Sequence, residues 1–286
     1  MTRRLPAAFA ATLGRPLVLA PSPPLPRCCH LGRGAGFVVE GRRPLGGGSG
    51  GHPLATSSAT HPAAGAHGGP RPPPLTMGLH AALCLDVPDG AATRAATRAA
   101  HLEWVAAPPP PRSSADGSAA AAAAPISVPF GGPLLGADGR PVGSLLLVEG
   151  EALPAVEAAL AADPYARAGL FQSVSVRAWR RGMASPPPLP STLYVVYCVD
   201  VAGGKDLRAT TRPAHLDWWK ASGRAGMIGP FPDGDGAVGT LLVVDGTSTE
   251  EVTAWAATDP YAAAGLFESV RVWPMKKVVE EGKVLV

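Results

Sequence analysis

The fourteen residues from Asp163 to Val176, DPYARAGLFQSVSV, recur from Asp259 to Val272 as DPYAAAGLFESVRV, identical at 11 of 14 positions. A chain that writes an Asp-Pro turn and an alternating strand twice is built from one unit used twice, and the match extends well beyond this stretch. AALCLDV (Ala81–Val87) aligns with VVYCVDV (Val195–Val201), and RAATRAAHLEW (Arg94–Trp104) aligns with RATTRPAHLDW (Arg208–Trp218), both 114 residues apart. VGSLLLVEG (Val142–Gly150) matches VGTLLVVDG (Val238–Gly246) at 96. The offset falls by 18, so the first copy carries extra residues between His101 and Val142. They are AAPPPPRSSADGSAAAAAAP, 106–125, whose Pro and Ser-Gly clusters lack periodic apolar positions and read as a disordered insert between two elements.

The chain then divides into a leader, 1–76, a first unit, 77–181, a stiff Pro-rich connector, 182–192, a second unit, 193–278, and a tail, 279–286. Within a unit the order of elements is legible. TLYVVYCVDV is β-branched, aromatic and apolar, a strand. LRATTRPAHLDWWKAS sets Leu207, Ala214 and Trp218 at spacings suited to one helix face, with Pro213 marking a kink or a late start. RAGMIGPF and AVGTLLVVD are strands around the turn PDGDG. TSTEEVTAWAATDP opens with a cap at Ser248 or Thr249 and carries acids in its first turn, a helix start. LFESVRVWPM alternates as a last strand. The order β-α-β-β-α-β is the ferredoxin-like split βαβ unit. Its sheet has helices on one face only, yet runs such as LLLV and LLVV need cover on both. Two units packed sheet to sheet supply that cover, so the expected fold is α+β, an intrachain pseudo-dimeric barrel.

Charge excludes some functions. The formal net charge of +3 is unevenly placed. Residues 1–76 hold eight Arg and a single acid, Glu40, giving +7 and leaving −4 for the rest. A mildly acidic folded part is no polyanion binder, so no nucleic-acid partner is expected. The acid-poor, Arg- and Ala-rich leader has the composition of an organelle transit peptide, for chloroplast or mitochondrion; the alternative is a translation start at Met77 and an otherwise cytoplasmic protein. No apolar run approaches the roughly 18 residues that span a bilayer, so no membrane partner is expected. Cys84 and Cys198 sit singly in strand patterns and Cys28 and Cys29 in the leader, with no C-x-x-C or His/Cys cluster, so no metal site is expected.

RPAHLDWW followed by DPYAAAGLFESVRVWPMKK resembles the YciI-like, or YCII-related, family, over residues 79–180 and 193–278. The resemblance implies a dimeric α+β barrel and a site that pairs a helix-1 His with the Asp of D-P-Y: His215 with Asp259, and His101 with Asp163. It also implies dehydrochlorinase-like lyase chemistry on a chlorinated hydroxyhydroquinone as the family's best-defined activity. Such a pair makes chemical sense without a cofactor, because a neutral imidazole exchanges protons near neutral pH and a carboxylate fixes its tautomer. Arg208, Arg212 and His215 fall at i, i+4 and i+7 of one helix, and Arg94, Arg98 and His101 repeat the pattern. Arg98, Arg208 and Arg212, with the hydroxyl of Tyr261, are candidates to hold a small anionic aromatic or enolisable substrate.

Structural readings stand beside the functional ones. Asp163 and Asp259 precede Pro and suit N-caps. His215 suits a half-buried, satisfied histidine, the Arg stripe a solvated face, and Trp104, Trp218 and Trp255 core positions. The first copy has Ala99 where the second has Pro213, and its insert is placed to drape across or block that pocket, which favours the second copy as the active one. Two functions follow: a cofactor-free lyase or isomerase using the His-Asp pair, or a non-catalytic small-molecule-binding or interaction module. Exposed sheet edges leave further oligomerisation open.

Overall fold

The structure, a computed structural model, describes residues 77–107 and 126–285. The leader and nearly all of the insert, with the readings placed on them, lie outside the described residues.

The first unit runs β1 (Gly78–Asp86), α1 (Ala91–Ala106), β2 (Ser127–Leu135), β3 (Pro141–Gly150), α2 (Leu153–Ala161), the single turn α3 (Pro164–Arg167) and β4 (Phe171–Ala178). A short β5 (Met183–Ala184) follows. The second unit repeats the order: β6 (Thr192–Asp200), α4 (Lys205–Ser222), β7 (Gly226–Asp233), β8 (Gly236–Val244), α5 (Thr249–Ala256), α6 (Pro260–Ala263) and β9 (Phe267–Lys276). It ends in β10 (Val279–Glu280) and β11 (Lys283–Val284).

Strands associate in the order β4-β1-β3-β2-β9-β6-β8-β7-β5. Each unit is thus a four-stranded antiparallel sheet, and the two join at β2–β9 through Leu134 and Met275. The residues after β4 reach the far edge, where β5 pairs with β7 through Met183–Ile228 and Ala184–Met227. This is the expected barrel, closed at both seams. Segments taken from sequence as connector and tail are part of the seams: β5 lies in the connector, and β10 pairs with β2 through Val279–Gly131 and Glu280–Phe130. Closure requires backbones to touch. A Cβ on Gly132 would lie 1.9 Å from the Lys276 carbonyl oxygen, and one on Gly229 would lie 2.0 Å from that of Arg180. Only glycine admits these approaches.

The hydrophobic runs are explained by the alternation of each strand between two packed faces. Leu83, Leu145, Leu147, Val195, Leu241 and Val243 point into the barrel and meet there with Phe130, Trp179 and Phe231. Cys84, Leu146 and Val148 lie beneath the first unit's helices, and Val196, Cys198 and Leu242 beneath the second's.

Helix α4 corrects the expected face. Leu207 and Ala214 are exposed and Trp218 half-buried, whereas Arg208, His215 and Trp219 are the buried residues. The stripe lies one residue further along because its apolar count is lowered by two polar groups that have partners. Pro213 stands within a helix running unbroken from Lys205, not at a late start. The tryptophans placed in the core, Trp104, Trp218 and Trp255, are half-buried; Trp218 and Trp255 stack at 4.4 Å on the helical flank. Ser248 caps α5, its Oγ accepting from the Glu251 N–H at 3.1 Å.

Candidate functional site

Each site begins with an Asp-Pro turn. Proline presets the first helical φ and removes a donor that the helix start would leave unmet. Asp163 caps α3 and Asp259 caps α6, each Oδ1 accepting the N–H two residues on, from Tyr165 and Tyr261, at 2.9 Å. The capping reading is therefore correct, and it does not compete with the other. The same carboxylates accept from a histidine. His101 Nδ1 lies 2.9 and 3.1 Å from the two Asp163 oxygens, and His215 Nδ1 lies 2.8 and 2.9 Å from those of Asp259. Only an Nδ1–H tautomer can donate to a carboxylate, which leaves Nε2 as the nitrogen available to a ligand.

All four groups are buried, Asp163 completely. A buried carboxylate needs such donors in place of water, so cap and imidazole hold it jointly. Each ring is also fixed from its face. Tyr165 stacks on His101, and Tyr261 on His215, with centroids 4.0 Å apart. The tyrosine hydroxyls are pushed up in pKa, chiefly by burial and against the pull of the neighbouring arginines. They remain protonated at neutral pH.

Beneath the tyrosines lies a second pair in each unit. Arg94 donates to Asp86 at 2.6 and 2.7 Å and to the Ser144 hydroxyl at 3.2 Å. Arg208 donates to Asp200 at 2.5 and 2.7 Å and to the Thr240 hydroxyl at 2.9 Å. The guanidinium carbons sit 4.7 Å from the Tyr165 centroid and 4.6 Å from that of Tyr261. The Arg stripe is thus not uniformly a solvated face, and Arg208, which lines the second cavity, already pairs its charge with Asp200. Arg208 supports the ring that supports His215. Arg98 and Arg212, one helical turn on, are exposed and line the cavities with their histidines. Tyr261 also lines its cavity, as a stacking wall. Asp86 and Asp200 escaped notice as site residues, as did Ser144 and Thr240. The signal was the repeat itself, since both Asp stand eight residues before the paired Arg.

Each histidine opens on a cavity between the helix and the sheet, about 470 Å³ in the first unit and about 420 Å³ in the second. The described residues of the first unit leave its cavity as fully formed as the second. Cys84 and Cys198 lie behind the sites, fully buried, with burial pushing both thiols far above their ordinary pKa. Among the described residues no cluster of His, Cys, Asp and Glu is arranged to hold a metal ion, and no helix is long and apolar enough to cross a membrane.

Comparison with known proteins agrees with this duplication. Protein YciI of Escherichia coli O6:H1 is 40% identical over 96 residues, which is 30% of this chain and 98% of that protein. A Haemophilus influenzae protein is 32% identical over 95 residues, 30% of this chain and 97% of its own length. Among solved structures, the 5-chloro-2-hydroxyhydroquinone dehydrochlorinase TftG of Burkholderia phenoliruptrix AC1100, in complex with 2,5-dihydroxybenzoquinone, matches at 26% identity over 28% of this chain and 89% of that one, TM-score 0.27. A chlorite dismutase variant from Candidatus Nitrospira defluvii matches at 9% identity over 70% of this chain and 92% of that one, TM-score 0.43. The model of the YCII-related domain matches twice, at residues 78–180 and 192–276, so the chain belongs to the YCII-related family and carries its domain in two copies.

Proposed function

We propose that each repeat is a cofactor-free acid–base site, in which the histidine moves a proton at Nε2 on a small anionic aromatic or enolisable compound during a lyase or isomerase step. The observation that carries the reading is the His-Asp pair, built twice at bonding distance on the wall of a cavity. The carboxylate on Nδ1 orients the ring and stabilises the imidazolium that forms when Nε2 takes a proton. In an elimination, Nε2 accepts the proton from an acidic carbon or hydroxyl, the electron pair expels the leaving group as an anion, and the imidazolium proton returns to solvent or product. Arg98 and Arg212 suit the anionic end of the substrate. The activity implied by the family resemblance, loss of chloride from a chlorinated hydroxyhydroquinone, is one member of this class.

The test is turnover by the full chain on a panel of halogenated and unhalogenated hydroxyquinols and related enols, with His101→Ala and His215→Ala singly and together. The double variant should lose activity by a factor of roughly 10² to 10⁴. Unchanged turnover in a folded double variant refutes the proposal. Turnover of nothing by the parent, with a lowered melting temperature in the variants, favours a binding or interaction module in which the pair only staples α1 to α3 and α4 to α6.

A further inference from the structure

The two cavities are related by the repeat, and each is closed by the other repeat at the same three positions. Lys276, at the end of β9, with Val278 and Val279 beyond it, lines the first cavity; Arg180, Gly182 and Met183, beyond β4, line the second. These residues stand 96 apart, the offset of the repeat. Their backbones are held alike, the Val278 N–H donating to the Gly131 carbonyl at 3.0 Å and the Gly182 N–H to that of Ile228 at 2.9 Å. The frame is repeated, but the side chains on it are not.

In the first cavity Val278 and Val279 continue an aliphatic wall made with Leu102, Val105, Leu135 and Leu146. In the second, Leu216, Ile228 and Met183 are the larger apolar lining residues, and Gly182 carries no side chain where the first cavity has Val278. An ion pair between Lys205 and Asp235, at 2.5 Å, stands at the lip, and the position of Lys205 is Ala91 in the first unit. In a symmetric homodimer every substitution appears in both sites at once. A fused pair is free of that constraint, and here the catalytic groups stayed equal while the closing segments diverged.

On the reading that both pockets handle small anionic aromatic or enolisable compounds, we propose that they have separate substrate ranges, and that Val278 and Val279 set the difference. The first pocket takes an anion carrying an added apolar ring or alkyl group. The second takes the compact, polar-substituted anion. Both meet the charged end of the ligand with an equivalent arginine, Arg98 or Arg212, so discrimination falls to the opposite wall. A fused ring laid on the aliphatic wall leaves water and gains affinity on the order of tenfold or more. Against Gly182 and an ion pair that it must partly desolvate, the same ring gains little.

The experiment is calorimetric titration of the full chain with 2-hydroxybenzoate and with 3-hydroxy-2-naphthoate, an anion of the same kind with one more ring. The expected result is two classes of site, one preferring the naphthoate by about tenfold and one with a preference near unity. The double variant V278G/V279M, which gives the first pocket the second pocket's residues, should abolish the preference. The reciprocal G182V/M183V should create one in the second pocket. The Cβ added at Gly182 meets the Ile228 carbonyl oxygen at 3.2 Å, so the strand must give by a few tenths of an ångström, and the fold of this variant is checked by circular dichroism. Should V278G/V279M fold poorly by circular dichroism, the reciprocal variant decides alone. Two equivalent sites with one shared preference overturn the inference and leave the acid–base reading standing. Binding of neither ligand at either site overturns both.

Discussion

Asp259→Asn isolates the electrostatic role of the carboxylate from its structural one. The amide oxygen can keep the cap on the Tyr261 N–H, now 2.9 Å, because asparagine caps about as well as aspartate. The amide nitrogen, in the place of Oδ2 at 2.9 Å, then faces His215 Nδ1 in competition with the retained oxygen at 2.8 Å, and the expected outcome is that the new donor prevails and Nδ1 gives up its proton to accept from it. The ring changes tautomer, the proton moves to Nε2, and the nitrogen facing the cavity becomes a donor that cannot act as a base. Charge-assisted bonds are about twice as strong as neutral ones. With both contacts retained in neutral form, the expected stability loss is about 1–2 kcal/mol, lowering Tm by roughly 3–6 °C. Asp259→Ala, which removes the cap and orphans the ring, should cost about 3 kcal/mol or more. The decisive assay is long-range ¹H–¹⁵N correlation of the imidazole, which distinguishes Nδ1–H from Nε2–H without a substrate. His215 should switch in Asp259→Asn while His101, in the untouched unit, serves as the internal standard. If His215 shows the same tautomer in parent and variant, the account of what the carboxylate does is wrong, whatever happens to turnover.

Further expectations follow from the same geometry. Arg94→Met leaves Asp86 buried without its cation and should cost about 3–5 kcal/mol in denaturant unfolding, while the pair R94M/D86N should recover much of it; strictly additive losses would show that the two do not interact. Gly132→Val drives a side chain into the Lys276 backbone and should open the β2–β9 seam, lost protection of β9 amides in hydrogen exchange being the signature, and an unchanged exchange map the refutation. His80 is buried, its Nδ1 lacks a partner among the described residues, and burial holds its pKa below the ordinary value against the pull of the Gly78 and Val148 backbone. The unfolded chain therefore binds a proton there at a pH where the folded one does not, so this group's contribution to stability falls as pH drops below about 6.5. His80→Gln should flatten the fall in Tm between pH 8 and 5.5, and an identical slope in the variant would rule the group out. Cys84 and Cys198, buried and held far above their ordinary pKa, should resist iodoacetamide in the native state and react only on unfolding, as peptide mapping can show.

The architecture was legible because it was written twice. An isolated β-α-β-β-α-β pattern leaves the bare face of its sheet unexplained, whereas two copies joined by eleven residues, with strands apolar on both sides, leave few options other than a closed pair. The Asp-Pro turns and Ser248 were legible for a local reason: caps depend on the few residues around them. The seams were not legible. MA in the connector and VE in the tail are too short to show a period, and their pairing with β7 and β2 is set by barrel closure rather than by their own sequence.

The buried face of α4 was hidden for a deeper reason. Periodicity finds a core-facing stripe by its apolar residues, and Leu207, Ala214 and Trp218 offered one. The face that is buried carries Arg208 and His215, stable inside only because Asp200 and Asp259 arrive from a strand end and from a helix cap. Neither partner is near in the helix, so no window centred on the helix contains the information. The repeat does contain it. Asp86 with Arg94 and Asp200 with Arg208 keep the same spacing, as do His101 and His215 beside their arginines, although surrounding positions such as Thr93 and Ala96 against Leu207 and Thr210 differ. Within one chain, the second copy tests the first. A charged residue present in both, at a position that helix periodicity assigns to solvent, is better explained by a buried partner than by a solvated face, and the partner is to be sought among the acids the copies also share.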